Sequence, residues 1–305
     1  MTMECIQDWN GTAAVRLENE QLTAVILPKL GGKTASLVWK ATGFDVAAEN
    51  TCGPYRQRAR DAAFADYDAS GLDDAFPTVD SSILFADKGF RYTDHGEIWR
   101  SVFNATPTES GNALKLNYVS AENPFSYTKT VSLAENRIVY DYEITNTGGV
   151  DFPCIWTWHG LVRYAPDMRL LYPKGAYRIL NAANHAALGT TGTVHDLDCA
   201  AYDFFSVPKT PSTSAEYYLL GRIDEGACGY YYPQSGTTCM ISYDCEALPY
   251  LGFWVTAGEF RGDYNCAFEP SNGFYCGIDT AAQNGKLPVL SPGETLAFSL
   301  SLAFS

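Results

Sequence analysis

Short runs of alternating apolar and polar residues dominate this chain, and they predict strands. Ala14-Val15-Arg16-Leu17-Glu18 and Leu22-Thr23-Ala24-Val25-Ile26-Leu27 flank the polar Asn19-Glu20-Gln21, a spacing for two strands and a turn. Tyr127 to Leu133 alternates, Ala134-Glu135-Asn136 breaks the pattern, and Ile138 to Ile144 resumes it, which reads as a hairpin. From Thr295 to Phe304, Leu296, Phe298, Leu300, Leu302 and Phe304 alternate with smaller residues, the mark of a closing strand with one buried face. Helix signals are few: a short helix over 53–64 and a turn near Ala281. Twenty Tyr and sixteen Phe, with turn residues every 8–12 positions, predict an all-β sandwich. No repeat and no Pro/Gly/Ser-rich linker divides the chain, so residues 1–305 read as one β domain.

Charge and cysteine content narrow the function classes. The 21 Lys and Arg against 35 Asp and Glu leave a net charge of −14, which argues against a nucleic-acid partner. No window approaches the ~18 uninterrupted apolar residues of a membrane span. The nine Cys are scattered, and none forms the C-x-x-C pair of a zinc or redox motif. Met1 to Gly11 has no basic stretch followed by an apolar one. Reduced cysteines and a cytoplasmic location are the expectation.

Four His make a short roster of candidate chemistry. His185 and His195 lie in an Ala-, Gly- and Thr-rich region that reads as exposed loop. His95 stands in Asp94-His95-Gly96-Glu97-Ile98-Trp99-Arg100, and His159 in Trp156-Thr157-Trp158-His159-Gly160. Neither cluster has metal-ligand spacing, and no nucleophile elbow, phosphate loop or dinucleotide motif is present. Acid–base work by His and carboxylate is what remains. Indoles beside polar side chains suit a sugar: Trp99, Trp156, Trp158 or Trp254 could stack on a pyranose while Asp94, Glu97 and Arg100 bond its hydroxyls. Against this, any single Trp is more often sandwich filling.

At these residues the chain resembles the aldose 1-epimerases, the galactose mutarotase-like proteins. Asp94-His95-Gly96-Glu97 is similar to the family's His-Gly motif. Trp158-His159-Gly160 takes the place of its Asn-His-aromatic motif, and Ala267-Phe268-Glu269-Pro270 resembles the late segment bearing its catalytic Glu. Gly71-Leu72-Asp73-Asp74-Ala75-Phe76-Pro77-Thr78 resembles a Gly-rich, Phe-Pro segment that precedes the His-Gly motif in divergent members. The resemblance implies a large antiparallel β-supersandwich and acid–base interconversion of sugar anomers with no metal or cofactor. Glu269 is then the base on the anomeric hydroxyl, His159 the acid at the ring oxygen, and His95 a supporting donor. Opposite charges on Glu269 and His159 are expected to stabilise each other. Substrate-binding candidates are Asp74, Asp94, Glu97, Trp99, Arg100, Trp158 and Trp254. The expected partner is a monosaccharide, with neither nucleic acid nor membrane, and the chain a monomer or homodimer. Trp158 stands where the family has Asn, and Gly160 where it has a bulkier residue.

Three other readings stay open at this point. A hexose-6-phosphate mutarotase needs a cationic pocket, with Arg56, Arg58, Arg100 and Arg163 as candidates. A binding module needs only the aromatic groove. A glycoside hydrolase needs two carboxylates about 5–9.5 Å apart, for example Glu97 and Glu269.

Overall fold

The computed structural model describes residues 1–274 and 277–305, and in it the alternating runs are antiparallel strands. Phe125–Ala134 and Arg137–Asn146 pair without a break from Ala134 opposite Arg137, so Glu135 and Asn136 form a two-residue turn. Glu135 takes a φ of 51°, the left-handed conformation that matches a tight turn to the twist of its strands. Thr295–Phe304 lies along the other side of Arg137–Asn146, with Phe298 opposite Tyr142. Among the described residues these three strands are part of an eight-stranded sheet.

Thirteen described strands make a second sheet. It runs from Thr2–Trp9 through Thr12–Glu18, Leu22–Leu27, Lys33–Trp39 and Leu72–Ala75 to Thr157–Gly160. It continues through Tyr264–Ser271, Tyr250–Ala257 and Ser212–Leu219 to Arg178–Asn181 and Val194–Asp196. Two short strands complete it off this path, Phe44–Asp45 beside Lys33–Trp39 and Val162–Arg163 beside Tyr264–Ser271. The inner faces of the two sheets meet in an aromatic core, where Tyr140 packs on Trp158 at 5.2 Å and Tyr142 on Trp156 at 4.9 Å. This is the antiparallel β-supersandwich expected from the motifs. Leu72–Ala75 and Thr157–Gly160 are buried on both faces, because the chain on either side of the first strand, 48–69 and 76–100, covers the outside of the large sheet.

Two local expectations reverse. The segment 53–63 is irregular, with only a 3₁₀ turn at Phe64–Asp66. Tertiary bonds take its backbone and side chains: Tyr55 N–H donates to Asn10, and the buried Arg58 pairs with Asp68 at 2.8 Å. The helix lies instead at Ile278–Gln283, where Ile278 and Ala281, three residues apart, face the core together. No helix among the described residues is long and apolar enough to cross a membrane. The eight described cysteines are unpaired thiols; Cys276 lies outside the described residues.

Adjacent carboxylates on Leu72–Ala75 must point to opposite faces of the sheet. Asp74 points inward, where Lys129 of the smaller sheet pairs with it at 2.8 Å and the Tyr127 and Tyr142 hydroxyls donate at 3.2 and 2.9 Å. Both charged side chains are fully buried, and the Lys129 ammonium also lies 5.0 Å from the Tyr140 ring centre. Removing one member leaves the other charged and unpaired in the core. Lys129→Met is expected to cost about 3–5 kcal/mol of stability. Asp74→Leu combined with Lys129→Met should recover part of that loss, and urea unfolding of both variants measures it.

Candidate active site

Strand register carries two of the candidate groups to one place. Thr157 pairs with Ser271, and Val162 with Cys266, so His159 lies across from Glu269 on the neighbouring strand. Glu269 in turn pairs with Gly252, and Trp254 with both Ala267 and Glu216. By alternation His159, Glu269, Trp254 and Glu216 share the outer face of the large sheet. A Cβ at Gly252 would stand 3.3 Å from Glu269 Oε2 and 2.9 Å from the Tyr218 ring, so the glycine leaves the lane into which that carboxyl leans.

His95 arrives from the covering segment on a strained turn. Its own φ is 55°, an αL conformation costing on the order of 1–3 kcal/mol for a residue with a Cβ. The His95 N–H donates to Val79 O at 2.6 Å, and the next N–H groups, of Gly96 and Glu97, donate to Thr93 O and Phe76 O. Gly96 is required here: a Cβ on it would meet Phe76 O at 2.2 Å. Asp94 Oδ1 holds His95 Nδ1 at 2.6 Å, while Asp94 Oδ2 accepts the Phe64 N–H at 2.8 Å. That leaves His95 Nε2 for the cleft. The Phe64 ring stacks on His95 with centroids 3.9 Å apart, and the His95 and His159 rings meet edge to face at 4.8 Å.

The result is a cavity of about 160 Å³ lined by Phe64, Val79, Asp80, His95, His159, Glu216, Trp254, Phe260 and Glu269. His159 Nε2 and Glu269 Oε1 stand 4.0 Å apart, both side chains less than a tenth exposed. The expectation of mutually stabilised charges does not hold. Burial is the largest influence on each: it raises Glu269 well above the carboxylate range, with Glu216 and Asp80 pushing the same way. It also lowers His159 well below the usual imidazole value, assisted by His95 and Lys33. At 4.0 Å, without a hydrogen bond, attraction does not offset the loss of water. Burial thus works against the charged form of both groups in the empty site. For Asp94, burial pushes upward, but the bond and charge of His95 and the Phe64 N–H outweigh it and keep the carboxyl low.

The structure thus brings together Glu269, His159, His95 and Trp254. Asp94 and Trp99 stand one layer behind: the buried Trp99 indole donates to Asp94 O at 3.0 Å and packs on Phe64. The other candidates lie elsewhere. Trp158 and Asp74 face the inner core by strand alternation, and Trp156 donates to Tyr127 there. Glu97 is buried under Tyr118, Ser120 and Asn123, which all donate to it. Arg100 forms a two-pronged pair with Glu122 at 3.0 and 2.9 Å. Of the phosphate candidates, Arg58 is spent on Asp68, Arg56 donates to Asp66 O, and Arg163 lies over Phe44. None lines the cavity. His185 and His195 are half-buried rather than exposed, His195 Nε2 bonding Leu188 O at 2.8 Å. Asp80, Glu216, Phe64 and Phe260 line the cleft without a sequence signal, because only register and the covering segment bring them there. No group of three metal-ligating side chains occurs among the described residues.

Comparison with known proteins agrees with this architecture. A family model described as a domain of unknown function, DUF4432, matches residues 200–304. No protein of curated function matches the chain in sequence. Among solved structures, the galactose mutarotase-like protein from Lactobacillus casei ATCC 334 superposes with a TM-score of 0.71 at 16% identity, over 96% of this chain and 100% of that one. A galactose mutarotase-like protein from Clostridium acetobutylicum gives 0.71 at 12% identity, over 100% and 98%. The Slr1438 protein from Synechocystis sp. PCC 6803 gives 0.73 at 18% identity, over 98% of both chains. The chain has the galactose mutarotase-like fold.

Proposed function

We propose that the cleft interconverts the anomers of a free aldose by acid–base ring opening and reclosure. The observation that carries this reading is the convergence of Glu269 and His159, 4.0 Å apart and nearly buried, with His95 at the wall. Ring opening moves one proton off the anomeric hydroxyl and one onto the ring oxygen. With Glu269 as base and His159 as acid, opening ends with a protonated Glu269 and a neutral imidazole. That is the proton arrangement favoured in the empty cleft. The same arrangement suits reclosure, in which Glu269 returns a proton to the aldehyde oxygen and His159 takes one from the attacking hydroxyl. The two steps alternate between the two arrangements, so no net proton is lost. Each group supplies roughly 10²–10⁴-fold. His95, turned by Asp94, supports the ring oxygen or a hydroxyl, and Trp254 offers a face to the sugar.

A hydrolase reading is disfavoured, since Glu97 is engaged under its own donors away from the cavity. A phosphosugar reading is disfavoured too, because the described lining has carboxylates and no Lys or Arg. Glucose 6-phosphate should exchange anomers more slowly than glucose by about tenfold or more, since its charge enters a negative site. Exchange confined to the phosphate ester, followed by proton NMR, would overturn that choice.

Glu269→Gln keeps size but not basicity. It should lower kcat for anomer exchange by at least ~10², with sugar affinity held within about tenfold. His159→Asn should lower kcat too, and the double variant should lose less than the product of the two. Exchange unaffected by Glu269→Gln would remove Glu269 from the mechanism.

The raised Glu269 also predicts a stability cost. The folded state holds this proton more tightly than the unfolded chain, so its contribution is full below the ordinary carboxylate value of 4.5 and is lost as pH rises through the folded value. Thermal unfolding should therefore show Glu269→Gln gaining on the wild type between pH 4.5 and pH 8. For His159, with a depressed folded value, the loss comes instead as pH falls below 6.5.

A further inference from the structure

We propose that the preferred substrate of this cleft is an aldose bearing a basic amine, a 2-amino-2-deoxy sugar, rather than a neutral one. The inference rests on the anomer-exchange reading and deepens it. Three carboxyl groups, of Asp80, Glu216 and Glu269, line one small cavity, and no Lys or Arg stands among its described lining residues. The cations nearby are committed elsewhere. Lys33 binds Asp68 and Asp73, at 2.5 and 3.3 Å, and Arg58 binds Asp68. Arg261 lies against Phe260, but its guanidinium donates to Asp263 at 2.7 Å and to the carbonyls of Ala65 and Tyr67.

A second, independent observation points to a ligand. Glu269 is 95% buried, the complement of its 5% exposure, yet accepts no hydrogen bond from any described residue. Its carboxyl opens to the cavity, so a donor on a bound molecule can reach it. Sugar hydroxyls supply a donor but no positive charge to answer the other carboxyls of the lining, Asp80 and Glu216. An ammonium supplies both, and charge-assisted bonds are roughly twice as strong as neutral ones. The walls suit it as well, since Phe64, Trp254 and Phe260 present rings that attract a cation.

The amine also has a mechanistic consequence. Carried on the carbon next to the anomeric one, it lies close to the hydroxyl on which Glu269 acts. A positive charge there favours the ionised carboxylate, so the bound substrate turns its own base on. An N-acetylated or unsubstituted sugar lacks that charge, and an anionic sugar opposes it.

Matched pairs test this without assuming the ring stereochemistry: glucosamine with glucose and N-acetylglucosamine, galactosamine with galactose and N-acetylgalactosamine. The measurements are anomer exchange and calorimetric binding on the whole protein at pH 6.5, below the α-amino range of about 7.7–8.0. In at least one series the amine should exceed both partners in kcat/KM by about tenfold, the worth of one charge-assisted bond. Glu216→Gln combined with Asp80→Asn should shrink that preference to within about twofold, because the selecting charge is gone. Equal kcat/KM across each series, or a preference that survives the double variant, overturns the proposal while anomer exchange stands. If no sugar is exchanged above the buffer rate, the catalytic reading fails and binding decides. Tighter binding of an amine than of its partners by about tenfold supports the cationic preference, and equal or absent binding overturns it.

Discussion

The buried pair of Asp74 and Lys129 is the interaction on which the rest of the structure depends. It joins the centre of the large sheet to the smaller one through charges with no access to water, and two tyrosine hydroxyls complete the carboxylate's shell. An unmatched charge at either position is intolerable in the core, so the pairing fixes how the sheets sit across each other. It also fixes the register of Leu72–Ala75, since a shift of one residue would send Asp74 outward and Asp73 inward. Asp73 is matched on the outer face, beside Lys33 at 3.3 Å. Its register partner is His159. The two charge pairs on opposite faces of one short strand therefore hold the strand that presents the imidazole.

From the Lys33 side a continuous set of contacts reaches the second histidine. Lys33 meets Asp68, Asp68 meets Arg58, and Arg58 lies 4.6 Å over Trp99, whose indole bonds the Asp94 carbonyl. Asp94 then orients His95. The cleft is consequently built on buried, paired charge, while Glu269 and His159 face each other at 4.0 Å with no hydrogen bond between them. This contrast explains the direction in which burial shifts Glu269 and His159. At Asp68 the touching cations Lys33 and Arg58 hold the carboxyl low against its burial; where Glu269 and His159 stand apart in a dry site, desolvation wins over attraction. A tighter pair would be more stable but would hold the proton on the imidazole and leave it less free to move.

How much of this was legible in the sequence follows from which constraints are local. Alternation along Tyr127–Leu133 and Ile138–Ile144 names the strands and their buried face, because period two is written in the chain itself. The His-Gly turn is legible for a similar reason: the glycine after His95 is demanded by the Phe76 carbonyl, so it marks the turn. Glu216 and Asp80 were not legible. Glu216 reaches the cleft only because its strand pairs with Trp254, whose strand pairs with that of Glu269. Glu97 and Arg100 misled for the opposite reason. Their chemistry suits a sugar, but Ser120, Asn123 and Glu122, more than twenty residues on, engage them first.

The departures from the family motif at Trp158 and Gly160 have one physical origin. A Cβ at Gly160 would lie 2.1 Å from Trp158 Nε1, so an indole at 158 requires a glycine two residues later. Both positions face inward, where the indole fills the space beside Tyr140 and the Lys129 ammonium. The two differences from the motif are a single repacking of the core behind the strand that carries His159. His159, between them and on the other face, keeps its place opposite Glu269. What separates this chain from the motif at these two positions therefore alters the packing under the cleft rather than its working groups, and the differences that bear on substrate must be sought in the lining, among Asp80, Glu216, Trp254 and Phe260.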